Sequence, residues 1–160
     1  MPAIELETRI AAPIERVFDL ARSIDLHTDS TSSTGERAIA GVICGLIGPD
    51  EEVTWRARHF GIWQTLTVRI TQFDRPNRFA DTMLRGAFRC MEHHHIFEES
   101  ADGTVMRDVF AYESPLGILG RLADLLFLES YMRSFLVARN RVLKTTAESV
   151  DWRRYLDETV

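Results

Sequence analysis

From residue 51 to residue 113 polar and apolar residues alternate, segment after segment, and then the alternation stops. Pro115, Gly117 and Gly120 interrupt it, and residues 121 to 149 run on without a proline or a glycine. A period of two gives a strand one face for a core and one for water, whereas a breaker-free run with apolar residues at i, i+3 and i+4 is a helix. A chain divided in this way is expected to be α+β, with helices packed on one face of an antiparallel sheet.

The alternating segments span 51–60, 63–73, 78–85, 88–99 and 104–113. The connections "FGI", "DRPN" and "ADG" are so short that neighbouring strands can only form antiparallel hairpins. Two further strands are expected upstream. Residues 4–10 set Ile4, Leu6, Thr8 and Ile10 against Glu5, Glu7 and Arg9, and residues 36–46 follow the turn-rich stretch "TDSTSSTGE". Between them, Pro13 suits a first helical turn, and Val17, Leu20, Ala21 and Ile24 share a helical face, so one or two short helices cover 13–28. In the long helix the buried stripe reads Leu122, Leu126, Met132, Phe135, Leu136, Val142 and Leu143, with Arg121, Arg133, Arg139 and Arg141 left wet. One domain is expected over 1–146. The tail 147–160 reads as a short helix or a frayed end, with Trp152 and Tyr155 available to pin it down or to meet a partner.

With 160 residues, 45% hydrophobic and 27% charged, the chain has the composition of a folded globular protein, and a chain of this length can bury roughly 70% of its unfolded surface. The net charge of -5 provides no long-range attraction for phosphates, so nucleic acid is not an expected partner. Arg56, Arg58, Arg69, Arg75, Arg78, Arg85 and Arg89 read as the wet face of the sheet. No segment approaches the ~20 apolar residues that span a bilayer, and the first residues alternate instead of forming a leader, so no membrane insertion and a cytoplasmic location are expected. Cys44 and Cys90 have no paired spacing, which fits a reducing compartment, and are expected to pack as small apolar residues.

Four phrases then resemble the SRPBCC superfamily, which includes START lipid-transfer domains, birch-pollen-allergen-like proteins and bacterial polyketide cyclases. They are "IAAPIERVFDLARSIDLH", "VTWRARHFG", "ITQFDRPNRF" and "YESPLGILGRLAD", and with the order of elements the resemblance covers the whole chain and points to a bacterial branch. It implies a helix-grip fold, a curved seven-stranded antiparallel sheet with two short helices closed over a long C-terminal helix, and a cavity between sheet and helix. It implies no cofactor. A fold shared by carriers, receptors and enzymes does not choose among them.

Strand parity indicates which residues would face such a cavity. Trp55 carries His59 inward, Leu66 and Val68 face in from the next strand, and Met91, His93, His95 and Phe97 are the favoured inward set of 88–99, because the opposite set holds two glutamates. Keeping Arg107 in water places Met106, Asp108, Phe110 and Tyr112 inside, and the long helix contributes Leu126 and Phe135. His93, His95 and Asp108 are therefore the candidate catalytic or ligand-orienting groups. A buried aspartate needs a partner, and an imidazole beside it can be a structural partner, a ligand contact or a base. The run His93, His94, His95 lacks the spacing of a metal motif, and no metal site is expected. Trp55 and Trp63 are expected in the core or the cavity wall, and Glu129 either looks into the cavity or stays solvated. Three functions stay open: carriage, sequestration or sensing of a small hydrophobic molecule, lipid-like or aromatic; a cyclase or dehydratase using the same histidines and aspartate; and a protein-interaction module, or a homodimer, with a vestigial cavity.

Overall fold

The computed structural model describes residues 3–115 and 124–156. The strands β1 (Ala3–Ile10), β2 (Arg37–Gly41), β3 (Glu52–His59), β4 (Ile62–Asp74), β5 (Arg78–Arg85), β6 (Cys90–Ser100) and β7 (Gly103–Glu113) form one curved antiparallel sheet in the order β1-β7-β6-β5-β4-β3-β2. The helices α1 (Ile14–Ala21) and α2 (Ile24–Ser30) connect β1 to β2, and α3 (Glu129–Glu148) packs against β1, α1 and α2. The expected seven-stranded α+β architecture is thus observed, with hairpins at the three short connections.

Helix α1 fills one end of the concave face. Phe18 is fully buried and meets Phe73, Phe79 and Phe97 edge-on, with ring centroids 5.3 to 5.4 Å apart. Such an aromatic cluster supplies roughly 1.5–3 kcal/mol per buried ring. Beneath it Asp19 is buried with both oxygens used: Arg22 Nε donates to Oδ1 at 2.8 Å and Arg75 Nη2 to Oδ2 at 2.6 Å, tying α1 to the turn after β4. Gly103, at φ +138°, lets the chain pass so near Ile10 that a Cβ there would meet its carbonyl oxygen at 2.2 Å.

Several expectations need correction. The second strand covers only Arg37–Gly41, because a bulge between Ala38 and Ala40 and positive φ at Gly41 and Gly45 turn the following apolar residues into a loop with Ile43 exposed. Trp63 is half exposed on the outer face of β4, opposite in parity to Leu66 and Val68, with the Arg56 guanidinium 5.0 Å from its ring. Cys44 is exposed and Cys90 half-buried. The long helix begins among the described residues with a π-turn, Asp124–Leu128, which rotates the following face relative to an uninterrupted α-helix. Leu126 consequently lies 68% exposed, whereas Arg139 is buried. Arg121 and Leu122 lie outside the described residues. Glu129 is exposed. The tail is docked: a 3₁₀ turn over Val150–Arg154 places Trp152 under Arg16, the Tyr155 hydroxyl donates to Asp29 at 2.6 Å, and Leu156 is buried.

Candidate functional site

At the other end of the concave face a cavity of about 310 Å³ lies between β3–β7 and the first half of α3. The two-residue turn Phe60–Gly61 joins β3 to β4 beside it, and Phe60 leans on Phe127 and Tyr131, with centroids 5.5 and 4.5 Å away.

Eight of the residues expected to face a cavity line it: Trp55 and His59 from β3, Leu66 and Val68 from β4, Met91 and His93 from β6, Phe110 from β7 and Phe135 from α3. The remaining six do not. Phe97 and Met106 share the correct strand face but lie further along it, in the part that α1 covers. Tyr112 is enclosed behind Phe88 and Phe110. Leu126 points outward, as the π-turn dictates. His95 and Asp108 form a layer behind His93: the His95 ring stacks on Phe79 at 4.3 Å and lies tilted against His93 at 4.0 Å.

Asp108 organises that layer. His93 Nε2 donates to its Oδ1 at 3.0 Å, His95 Nδ1 reaches the same oxygen at 2.8 Å, and Asn140 Nδ2 from α3 donates to Oδ2 at 2.6 Å. Burial works against the Asp108 charge, but the hydrogen bonds from His93 and His95 outweigh it and hold the carboxyl well below the usual carboxylate range. Burial also pushes His95 down to about 3, helped by the neighbouring His93, so this ring stays neutral. Asp108 is therefore paired with imidazole, one of the three arrangements left open, and of the three candidates only His93 meets the cavity.

The sequence reading missed five titratable groups of the wall. Asp81 on β5 stands directly across from His93. Its Oδ2 is buried without a hydrogen-bond partner, and burial raises its carboxyl, partly opposed by His93 and Arg139. Arg139 reaches the wall from α3. His27 of α2 stacks on Trp55 at 4.1 Å and has Nε2 3.5 Å from Glu36 Oε2. Burial disfavours the Glu36 charge, yet His27 keeps the carboxyl lowered. Tyr131 shares a 2.7 Å hydrogen bond with His59 Nδ1. Burial lowers His59, with Glu36 opposing, and raises Tyr131. Two of the five had a usable signal. Asp81 lies between Phe79 and Met83 on one strand face, and Arg139 is seven residues beyond Met132 and four beyond Phe135 on the helical stripe. Nothing in the loop sequence brings His27 to Glu36.

Asp81, His93 and His95 are also the one group among the described residues with donor atoms near enough to reach a common metal ion, all within 4.8 Å of one another. Ligand atoms around a four-coordinate zinc sit roughly 3.3 Å apart, so the three would have to close in. The positive Arg139 beside them and the hold of Asp108 on both rings resist that movement. The arrangement is instead that of a hydrogen-bonding end wall in an apolar chamber.

Residues 1–148 match the sequence model of a family described as polyketide cyclase/dehydrase and lipid transport. No curated protein matches the chain. Among solved structures, the protein TTHA0849 from Thermus thermophilus superposes with a TM-score of 0.75 at 21% identity, covering 91% of this chain and 97% of its own. Ginseng major latex-like protein 151 from Panax ginseng gives 0.69 at 14% identity, covering 92% and 98%, and protein CV1439 from Chromobacterium violaceum gives 0.71 at 13%, covering 92% and 97%. At these identities the likeness is one of fold.

Proposed function

The chain belongs to the polyketide cyclase/dehydrase and lipid transport family, and from that premise we propose that it binds a small hydrophobic molecule in the chamber between sheet and α3, for carriage, sequestration or sensing. The observation that carries this reading is the chamber itself. Its volume of about 310 Å³ is at the lower end of the roughly 300–1,000 Å³ common for ligand pockets. Trp55, Leu66, Val68, Met91, Phe110 and Phe135 supply apolar wall, and a few polar groups stand at set positions. Transfer of an apolar ligand from water gains roughly 25 cal/mol per Å² of buried surface, and the polar groups orient it.

A second reading draws on one specific feature. His93, held by Asp108 on one side, faces Asp81 across the strand pair, and burial keeps the Asp81 carboxyl raised. An imidazole and a carboxyl that face each other can move protons on a bound polyketide-like substrate, as a cyclase or dehydratase requires. Native mass spectrometry of protein purified from its own host tests the main reading. A retained small molecule, released on denaturation and chemically unchanged after incubation, is the expected result. Release of an altered molecule would favour the second reading, and protein carrying no molecule even after incubation with apolar extracts would sink both.

A further inference from the structure

Arg139 is the one arginine among the described residues that the fold buries. Its residue exposure is 7%, it lines the chamber, and its hydrogen bond among the described residues is a long one, Nη2 to the Ala21 carbonyl oxygen at 3.5 Å. Guanidinium has five N–H donors and stays charged, so most of its hydrogen-bonding capacity is left over. Burying such a charge unpaired is costly. Arg22 and Arg75, in comparison, share Asp19 at 2.6 to 2.8 Å.

The acids around the chamber do not serve as its counter-ion. No carboxylate of the described residues forms an ion pair with Arg139, and two neighbouring acids are committed elsewhere. Asp108 is taken by His93, His95 and Asn140. Glu36 faces His27. Asp81 is near enough to feel the Arg139 charge but forms no ion pair with it. The chamber therefore has a cationic fork in its wall together with aromatic side chains.

We propose that the chamber is selective for an organic anion: a carboxylate, or an equally compact oxyanion, on an apolar aromatic or aliphatic body, with Arg139 pairing the acid group. This deepens the binding reading above and rests on it. A planar carboxylate matches the guanidinium fork in two parallel hydrogen bonds, which a point charge such as lysine cannot reproduce. The chamber volume of about 310 Å³ suits a body of one or two fused rings, with Trp55, Phe110 and Phe135 as wall. The protonated form of Asp81 would donate a further hydrogen bond to the same group.

The test is a titration of the whole chain with 2-naphthoate and with its neutral isostere 2-naphthamide, followed by calorimetry or ligand fluorescence. Wild type is expected to bind the acid at least about tenfold more tightly than the amide. Arg139→Met, of similar length and apolar, should lose the preference while still binding the amide, and Arg139→Lys should recover part of it. Amide binding in Arg139→Met also shows that the variant is folded. Equal affinity of wild type for the two probes, or a preference that survives in Arg139→Met, would overturn the anion assignment and leave the chamber reading standing. Binding of neither probe by wild type would count against both.

Discussion

The concave face of the sheet has two halves made from the same strands, and they end differently. Towards α1, Phe79 and Phe97 pack against Phe18, and Met106 is buried beside them in the same core. Towards the first half of α3, Asp81, Met91, His93 and Phe110, on those same three strands, border the chamber. The layer of His95 and Asp108 divides the two. The difference lies in what the helices provide. Helix α1 projects Phe18 into the sheet, whereas α3 presents Phe135 and Leu136 at the chamber wall and then Arg139 and Asn140. A core is the product of facing surfaces, and a strand pattern describes only one of them.

The comparison is most easily broken by truncating one ring in each half. Phe18→Ala should cost about 3–5 kcal/mol in urea unfolding, because it opens a void in a closed cluster. Phe135→Ala already borders space, loses fewer contacts and should cost less than about 2 kcal/mol. Equal losses would mean that the chamber is packed as tightly as the α1 end. The dividing layer comes next. Asp108→Leu removes the shared acceptor of two buried imidazoles and should destabilise by roughly 3 kcal/mol, again by urea unfolding. A neutral effect would show that Asp108 does not organise the layer.

These elements also mark what was legible in advance. Alternation located β1 and β3–β7 to within a residue or two, since each strand has one wet and one dry face, and the inward faces of β6 and β7 follow from keeping Glu92, Glu98 and Arg107 in water. Parity cannot say where along a strand α1 stops covering it. Phe97, Met106 and Asp108 therefore looked equivalent to Phe110 and His93. On α3 the expected stripe holds from Met132 through Phe135, Leu136 and Val142 to Leu143, and two positions depart from it. Leu126 lies in the π-turn and points out, and Arg139, expected in water because it is charged, takes an inward position on that same stripe. His27 and Glu36 meet only through tertiary packing, which has no local signature.

Acidification sharpens the view of the dividing layer. With its folded value lowered to about 3 against an ordinary 6.5, His95 stays neutral in the fold while the unfolded chain takes up a proton. Stability is full above about pH 6.5 and is lost as the pH falls from there towards about 3, with a slope of at most about 1.4 kcal/mol per pH unit from this group. Urea midpoints across that range should show the decline, and His95→Gln should flatten it. An unchanged slope in His95→Gln would place the proton uptake elsewhere.

The smallest effect belongs to the docked tail. Burial, together with the hydrogen bond to Asp29, pushes Tyr155 up to about 12, so the contribution of this contact is complete below pH 10 and fades as the pH rises towards 12. Tyr155→Phe should cost less than about 1 kcal/mol at neutral pH and remove the highest step of the tyrosinate absorbance titration. Retention of that step would assign it to another tyrosine.

The most direct measurement of the central claim is titration of wild type and Leu66→Trp with an environment-sensitive apolar dye, each protein also being unfolded in urea. Leu66 lines the chamber and is only partly buried, so an indole there fills empty space. The expected result is one saturable site in wild type, lost in Leu66→Trp at an unchanged or higher urea midpoint. Equal binding by both proteins, or no binding by wild type, would contradict the chamber as the ligand site.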